Sequence, residues 1–257
     1  MRGRRVLLGL TLVVLTTSVS APPAVANSRD ELQLVTGSSP DQGRVALVVA
    51  VPERFTGTTL PEGSFTALAG DQRLVVSTTP IPATSLSVLV ILDTGSVVPT
   101  ASFDRQRAAV VELARAVEPG TRLGLATTTS PFRLLDATDD RSALLTALGN
   151  LTAGGTASPV EAVAAAASLA GSDPGARIVL FTDDPATLTD PLVAAAGGVP
   201  TDVVRSGGAG ATTSDGVLRV HHVDSPLQFV DGLAAELTGQ YRHRGARSPS
   251  RASAGGA

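Results

Sequence analysis

The chain has 257 residues, room for one large domain or for a medium domain with a small companion. Apolar residues make up 43% but aromatics only 3%, so a core must be built from Val, Leu, Ile and Ala, which suits buried parallel strands under Ala-rich helices. The formal charge is −3, every one of the 20 basic residues is arginine, and the absence of cysteine excludes disulfides, thiolate catalysis and Cys-held zinc.

Residues 1–26 read as an export signal. Arg2, Arg4 and Arg5 form a positive start, Val6 to Val19 is apolar or small, Pro22 and Pro23 break the run, and Ala24-Val25-Ala26 is an A-x-A cleavage pattern. The apolar run is shorter than the roughly 20 residues a membrane span needs, and no later stretch is long and apolar enough for a second span. After cleavage no transmembrane segment is expected. Loss of this segment removes three arginines and no acid, leaving 17 basic against 23 acidic side chains. Residues from Arg242 onward carry four arginines and no acid, so 27–241 hold 13 against 23. An acidic body argues against a nucleic-acid partner, which requires a basic face.

Residues 27–82 read as a small all-β module. Leu32–Thr36 and Arg44–Val51 are strand-like, and Ser64–Ala69 and Arg73–Thr79 flank Gly70-Asp71, a hairpin signal. Strands in so short a segment are marginal alone, so the module is expected to pack on the larger segment C-terminal to it. Pro80 and Pro82 form the joint.

From Ser85 the pattern changes. Ser87–Leu92 is apolar on both faces, as a central parallel strand is, and it ends in Asp93-Thr94-Gly95-Ser96. An amphipathic helix comes next over 102–117, then a strand at Arg122–Thr127 and a short edge strand at Phe132–Leu135. A helix over 140–148 has Asp140 as N-cap. Gly154-Gly155-Thr156 precedes a helix opened by Ser158-Pro159, with Glu161 completing a capping box. Ile178–Phe181 is a third apolar strand, ending in Thr182-Asp183-Asp184. A short helix at 191–196, strands at 201–204 and 217–221, and a last amphipathic helix at 226–237 complete the pattern. His221 and His222 are strand neighbours that face opposite ways, which argues against a shared metal. Residues 242–257, rich in Arg, Ser, Gly, Ala and Pro, read as a disordered basic tail.

Strands alternating with helices indicate a doubly wound, mostly parallel α/β sheet over 83–241. In such sheets ligands bind at the carboxyl ends of the strands, near the switch in strand order. Asp93, Ser96, Thr156 and Asp183 all fall in loops at those ends. Two carboxylates with several hydroxyls on one rim form an all-oxygen set, suited to Mg²⁺ or another hard divalent cation. The alternative is that each is an ordinary cap or turn residue.

These three loops, in this order, resemble the metal-ion-dependent adhesion site of von Willebrand factor A (VWA) domains. That family shows an apolar strand ending in Asp-x-Ser-x-Ser, a Gly-Gly-Thr-type loop before a helix, and a strand ending in Thr-Asp-Gly. Here Val-Ile-Leu-Asp93, Gly155-Thr156 and Leu-Phe-Thr182-Asp183 match, and the likeness covers roughly 85–241. The resemblance implies a VWA/Rossmann-like fold, no enzymatic activity, and binding of a protein ligand at the bacterial cell envelope. In the family an acidic partner residue completes the metal shell. The departures lie in the first loop and at Asp184, which stands for glycine: read without gaps, Gly95 and Val97 stand for the two serines, and if the loop is one residue short, Ser96 takes the second position and the first serine is deleted. The adhesion site is therefore expected to be degenerate, and any divalent-cation binding weakened.

Two rivals remain. One is a metal-independent structural subunit of an envelope secretion or pilus assembly. The other arises from Asp93-Thr94-Gly95-Ser96, which also spells the catalytic loop of pepsin-like aspartic peptidases. Those enzymes need two such carboxylates sharing a proton, and no second Asp-Thr-Gly or Asp-Ser-Gly occurs.

Overall fold

The computed structural model describes residues 33–38, 46–51, 60, 64–65, 67–69, 72–74, 76–170, 173, 175–183, 189–206, 213–215, 217–238 and 240–245. The expected signal segment, Asp184 and everything after Gly245 lie outside the described residues. The chain divides into two units: Met1–Pro80 with Gly239–Ala257, and Ile81–Thr238.

In the first unit the strands are β1 (Gln33–Ser38), β2 (Ala46–Ala50), β3 (Ala67–Ala69), β4 (Gln72–Leu74) and β5 (Val76–Pro80). β3 and β4 pair as the hairpin expected around Gly70-Asp71. The other three form an antiparallel sheet with a strand from the far end of the chain, Gln240–Gly245, in the order β1, β2, Gln240–Gly245, β5. The basic tail expected from Arg242 thus begins with four residues of strand. Val49 and Val51 are buried here, with Leu60 and Phe65 against them.

The second unit opens with a 3-10 turn, Ala83–Ser85, and continues β6 (Ser87–Leu92), α1 (Thr100–Ala116), β7 (Arg122–Thr127), β8 (Arg133–Thr138), α2 (Arg141–Gly149), α3 (Pro159–Ala170), β9 (Ala176–Thr182), α4 (Thr189–Ala196), β10 (Thr201–Ser206), β11 (Thr213–Asp215), β12 (Leu218–Val223) and α5 (Pro226–Thr238). The Gln240–Gly245 strand is β13. The sheet runs β11-β12-β10-β9-β6-β7-β8, with parallel neighbours throughout the centre and an antiparallel strand at each edge. This is the doubly wound, mostly parallel α/β architecture expected from the sequence.

Side-chain alternation along the strands builds two cores. Val88, Val90 and Leu92 of β6 pack with α1, α2 and α5, while Leu89 and Ile91 pack with α3 and α4. The central strands β6, β7 and β9 bury both faces, which is why their sequences read as near-unbroken apolar runs. The Ala-rich face of α3 (Ala162, Ala166, Ala170) lets that helix sit close to the sheet. Asp140 caps α2 as expected, accepting from the Ser142 and Ala143 amides at 2.9 and 3.0 Å. From β6 the chain moves to one side through α1 and β7, then to the other side for β9. The switch in strand order therefore lies beside β6 and β9, the strands that end in Asp93 and Asp183.

Candidate functional site

β6 ends at Leu92, and Asp93 comes next, buried. Its amide donates to Phe181 O of β9 at 3.1 Å and to Gln106 Oε1 of α1 at 3.1 Å. Its carboxylate is ringed by donors. Oδ1 accepts from the Gly95 amide at 3.1 Å and from the Thr128 hydroxyl at 2.9 Å, and Oδ2 accepts from the Thr182 hydroxyl at 2.7 Å. One side chain thus joins the carboxyl ends of β6, β7 and β9. Thr128 Oγ1 in turn accepts from the Thr94 amide at 3.1 Å, and Thr94 Oγ1 lies 2.7 Å from Thr129 Oγ1.

The glycine-rich loop is laced to this layer by backbone bonds. Gly154 N donates to Thr94 O at 2.7 Å, Ser96 N to Gly155 O at 2.9 Å, and Ser158 N to Thr128 O at 2.7 Å. Gly155 has φ +90°, a conformation side-chain-bearing residues rarely adopt, which explains glycine there. The outer surface of the rim is open: Ser96, Thr152, Ala153 and Thr156 are exposed, and Val97 is 87% exposed.

Asp183 comes directly after β9. Its Oδ2 accepts a hydrogen bond from the Ser102 hydroxyl of α1. Burial pushes its carboxyl above the ordinary range; hydrogen bonding by Ser206 and the Arg105 charge pull it back, and the Asp93 charge adds to the rise.

The four residues expected from sequence thus fall into two pairs. Asp93 and Asp183 end adjacent strands in the inner layer, while Ser96 and Thr156 belong to the exposed loops tied together above it. The residues that engage the carboxylates are others: Thr128, Thr182, Ser102 and the Gly95 amide. Thr128 sits in Thr127-Thr128-Thr129 at the end of a strand beside β6, a hydroxyl run visible in the sequence. Ser102 and Gln106, one helical turn apart on α1, carried no such signal.

A hard divalent cation takes about six oxygens. The residues present do not fit that shell. Three donors already engage Asp93, and a Cβ added at Gly95, which stands at the family's first serine when the loop is read without gaps, would lie 2.9 Å from the Ala157 methyl. Among the described residues no three His, Cys, Asp or Glu side chains cluster as ligands.

Residues 88–185 match the family model of the von Willebrand factor type A domain. Among solved structures the chain is similar to the SpRpn10 VWA domain, at 18% identity over 58% of this chain and 93% of that one, with a TM-score of 0.45. A von Willebrand factor type A protein from Catenulispora acidiphila aligns at 14% identity over 81% of this chain and 50% of that one, TM-score 0.44. The manganese-loaded TRAP protein of Plasmodium vivax aligns at 12% identity over 68% and 82% of the two chains, TM-score 0.47. No curated protein matches. The family match covers 98 of the 257 residues, within the doubly wound unit Ile81–Thr238.

Proposed function

We propose that this VWA-domain protein is an exported, non-enzymatic binding protein of the bacterial cell envelope, and that it engages a protein partner through the loops at the carboxyl ends of its strands. The observation that carries this reading is the rim itself. An uncharged surface of Ser96, Val97, Thr152, Ala153 and Thr156 stands open to solvent, over loops fixed by backbone bonds and by a buried carboxylate. Val97, 87% exposed, offers an apolar contact beside the Ser96 and Thr156 hydroxyls, and pre-ordered loops lower the entropy cost of docking. The non-enzymatic reading is supported by Asp93, whose two oxygens are engaged as acceptors by backbone and hydroxyl donors, unlike a carboxylate that shares a proton with a second acid. Export is inferred from the Arg2–Ala26 pattern alone; among the described residues no helix is long and apolar enough to cross a membrane.

A photo-crosslinking residue at Val97, with one at exposed Leu145 on α2 as the control, tests the binding face in intact cells. A discrete protein adduct from position 97 and none from 145 is expected. Equal labelling from both positions, or none from 97, would sink the reading. Val97→Asp is expected to weaken capture of that partner at least tenfold, as burial of a lone charge in an apolar contact does. Mass spectrometry of the mature chain tests export, with Asn27 expected as its first residue.

A further inference from the structure

The family pattern calls for a cation at Asp93, and the atoms around Asp93 are arranged to do without one. The first reason is steric. A Cβ at Gly95 would meet the Ala157 methyl at 2.9 Å and Asp93 Oδ1 at 3.3 Å, and real Cβ contacts essentially never fall below 3.0 Å. Ala157 has no rotamer through which to retreat. Its neighbours are pinned, since Ser158 N is bonded to Thr128 O at 2.7 Å and Ser96 N to Gly155 O at 2.9 Å. The first hydroxyl ligand is thus excluded as well as missing.

The second reason is electrostatic. The buried charge of Asp93 is met by three hydrogen bonds, from the Gly95 amide and the Thr128 and Thr182 hydroxyls, and a carboxylate so satisfied needs no cation to offset its desolvation. The third is the Gln106 carboxamide, fully buried. Its Oε1 takes the Asp93 amide, and its NH₂ is left buried with no hydrogen-bond partner among the described residues. With its oxygen committed to the Asp93 amide, Gln106 has only a donor left, which cannot serve as a cation ligand.

We propose that Asp93 is a cation-independent staple of the strand ends, and that the rim accordingly takes an uncharged, apolar side chain of a protein partner in place of a metal-bridged carboxylate. The proposal rests on the rim being the binding face. Its chemistry is set by the groups the rim exposes: Val97 with the hydroxyls of Ser96 and Thr156, and no cation for an acid to complete. A partner carboxylate would instead meet the acidic layer of Asp93 and Asp183.

Thermal unfolding of the full chain tests this, in millimolar Mn²⁺ or Mg²⁺ and in EDTA at matched ionic strength. A specifically bound ion raises the midpoint by an amount that grows with its concentration. The expected result is the same wild-type midpoint in all three, with Asp93→Ala lowering it equally in EDTA and in Mn²⁺. Should Asp93→Ala fail to fold, Asp93→Asn, which keeps one acceptor oxygen, is expected to give the same cation-blind drop on a smaller scale. Gly95→Ser is expected to lower the midpoint, and the double variant Gly95→Ser/Ala157→Gly to recover most of the loss. A saturable Mn²⁺-dependent rise in wild type that Asp93→Ala abolishes would overturn the staple, as would a Gly95→Ser chain of unchanged midpoint. Crosslinking separates the two readings. An adduct at position 97 that EDTA removes overturns the staple while leaving the binding face intact. Absence of the adduct in a cation-blind protein overturns the binding face alone.

Discussion

Asp93 and Asp183 end neighbouring strands, yet their surroundings handle the two charges differently. Asp93 is held by three donors, while Asp183 has the Ser102 hydroxyl and a desolvation that outweighs the pull of Ser206 and Arg105. A carboxyl whose folded value is raised binds its proton more readily in the native state than in the unfolded chain. Stability then falls as pH climbs from the unfolded value, about 3.9, through the raised native one. The penalty is fully present above that window and absent below it. Asp183→Asn keeps the size and an acceptor for Ser102 while removing the charge. It is expected to stabilise the protein at pH 7 by a small margin, up to about 1 kcal/mol because Asp183 is only partly buried, and to have no effect near pH 3. Urea midpoints at the two pH values check this; an Asn variant less stable at pH 7 would mean that Arg105 and Ser206 outweigh burial. At this scale the sequence announced the acids and not their partners. Both acids come after apolar strands, a position readable from periodicity. Ser102 and Gln106 face the site only because α1 packs on β6 with that side down, a fact of tertiary packing. The closure at Gly95 is equally invisible in sequence, since it depends on Ala157 from a loop 62 positions away.

Elements β9, β10, β12 and α5 are joined by a buried charge network on the face opposite α3 and α4. Arg177, 1% exposed, places Nε 2.5 Å from Asp202 Oδ2 and Nη2 3.1 Å from Glu236 Oε2. Arg219 Nε lies 3.0 Å from Asp202 Oδ1, which His221 Nε2 also meets at 2.7 Å. Burial alone would raise Asp202, but the Arg177 charge, with the His221 hydrogen bond and charge, holds it below the ordinary carboxylate range. Glu236 is pushed up, burial there outweighing Arg177. Strand alternation explains the gathering. Arg177, Asp202 and Arg219 are each the second residue of their strand, Asp202 and Arg219 are register partners, and all turn toward α5. Arg177→Met leaves two buried acids with Arg219 as their remaining arginine partner, and is expected to cost about 3–5 kcal/mol in urea unfolding. The double variant Arg177→Met/Glu236→Leu, which removes one charge of each sign, is expected to cost clearly less. A double variant as unstable as the single one would show that the network does not act as a unit. The apolar strand read from Ile178 begins two residues earlier in the structure, at Ala176. A charged residue at a strand start looks like a boundary in sequence, and only the partners brought by β10, β12 and α5 make it interior. The Ala-rich α3 and the Asp140 cap depend on local chemistry alone, and both were legible.

For the molecule as a whole, the main departure from the sequence reading is the return of the chain to its first unit. β5 leaves the four-stranded sheet at Pro80, and β13 re-enters it at Gln240, with Tyr241 opposite Pro80. The second unit is therefore an insertion between two paired strands, and the first unit is built from both ends of the described chain. Composition hid this, because Arg242, Arg244 and the Ser/Gly/Ala residues beyond resemble a solvated tail. The available signal was the alternation of Gln240, Arg242 and Arg244 with Tyr241 and His243, a period of two. The strand is interior in its sheet, bonded to β2 on one side and β5 on the other. Its loss breaks two ladders at once and leaves β1-β2 and β5 unconnected, and a lone two-stranded pair is at best marginally stable in water. A chain stopped at Thr238 is thus expected to keep the cooperative transition of the seven-stranded unit while losing the first. Limited proteolysis should then cut within 33–80 at least tenfold faster than in the full chain, with 81–238 protected as before. Equal protection of 33–80 in both chains would mean that the first unit stands without its last strand, and that β13 is an accessory to the sheet instead of its centre.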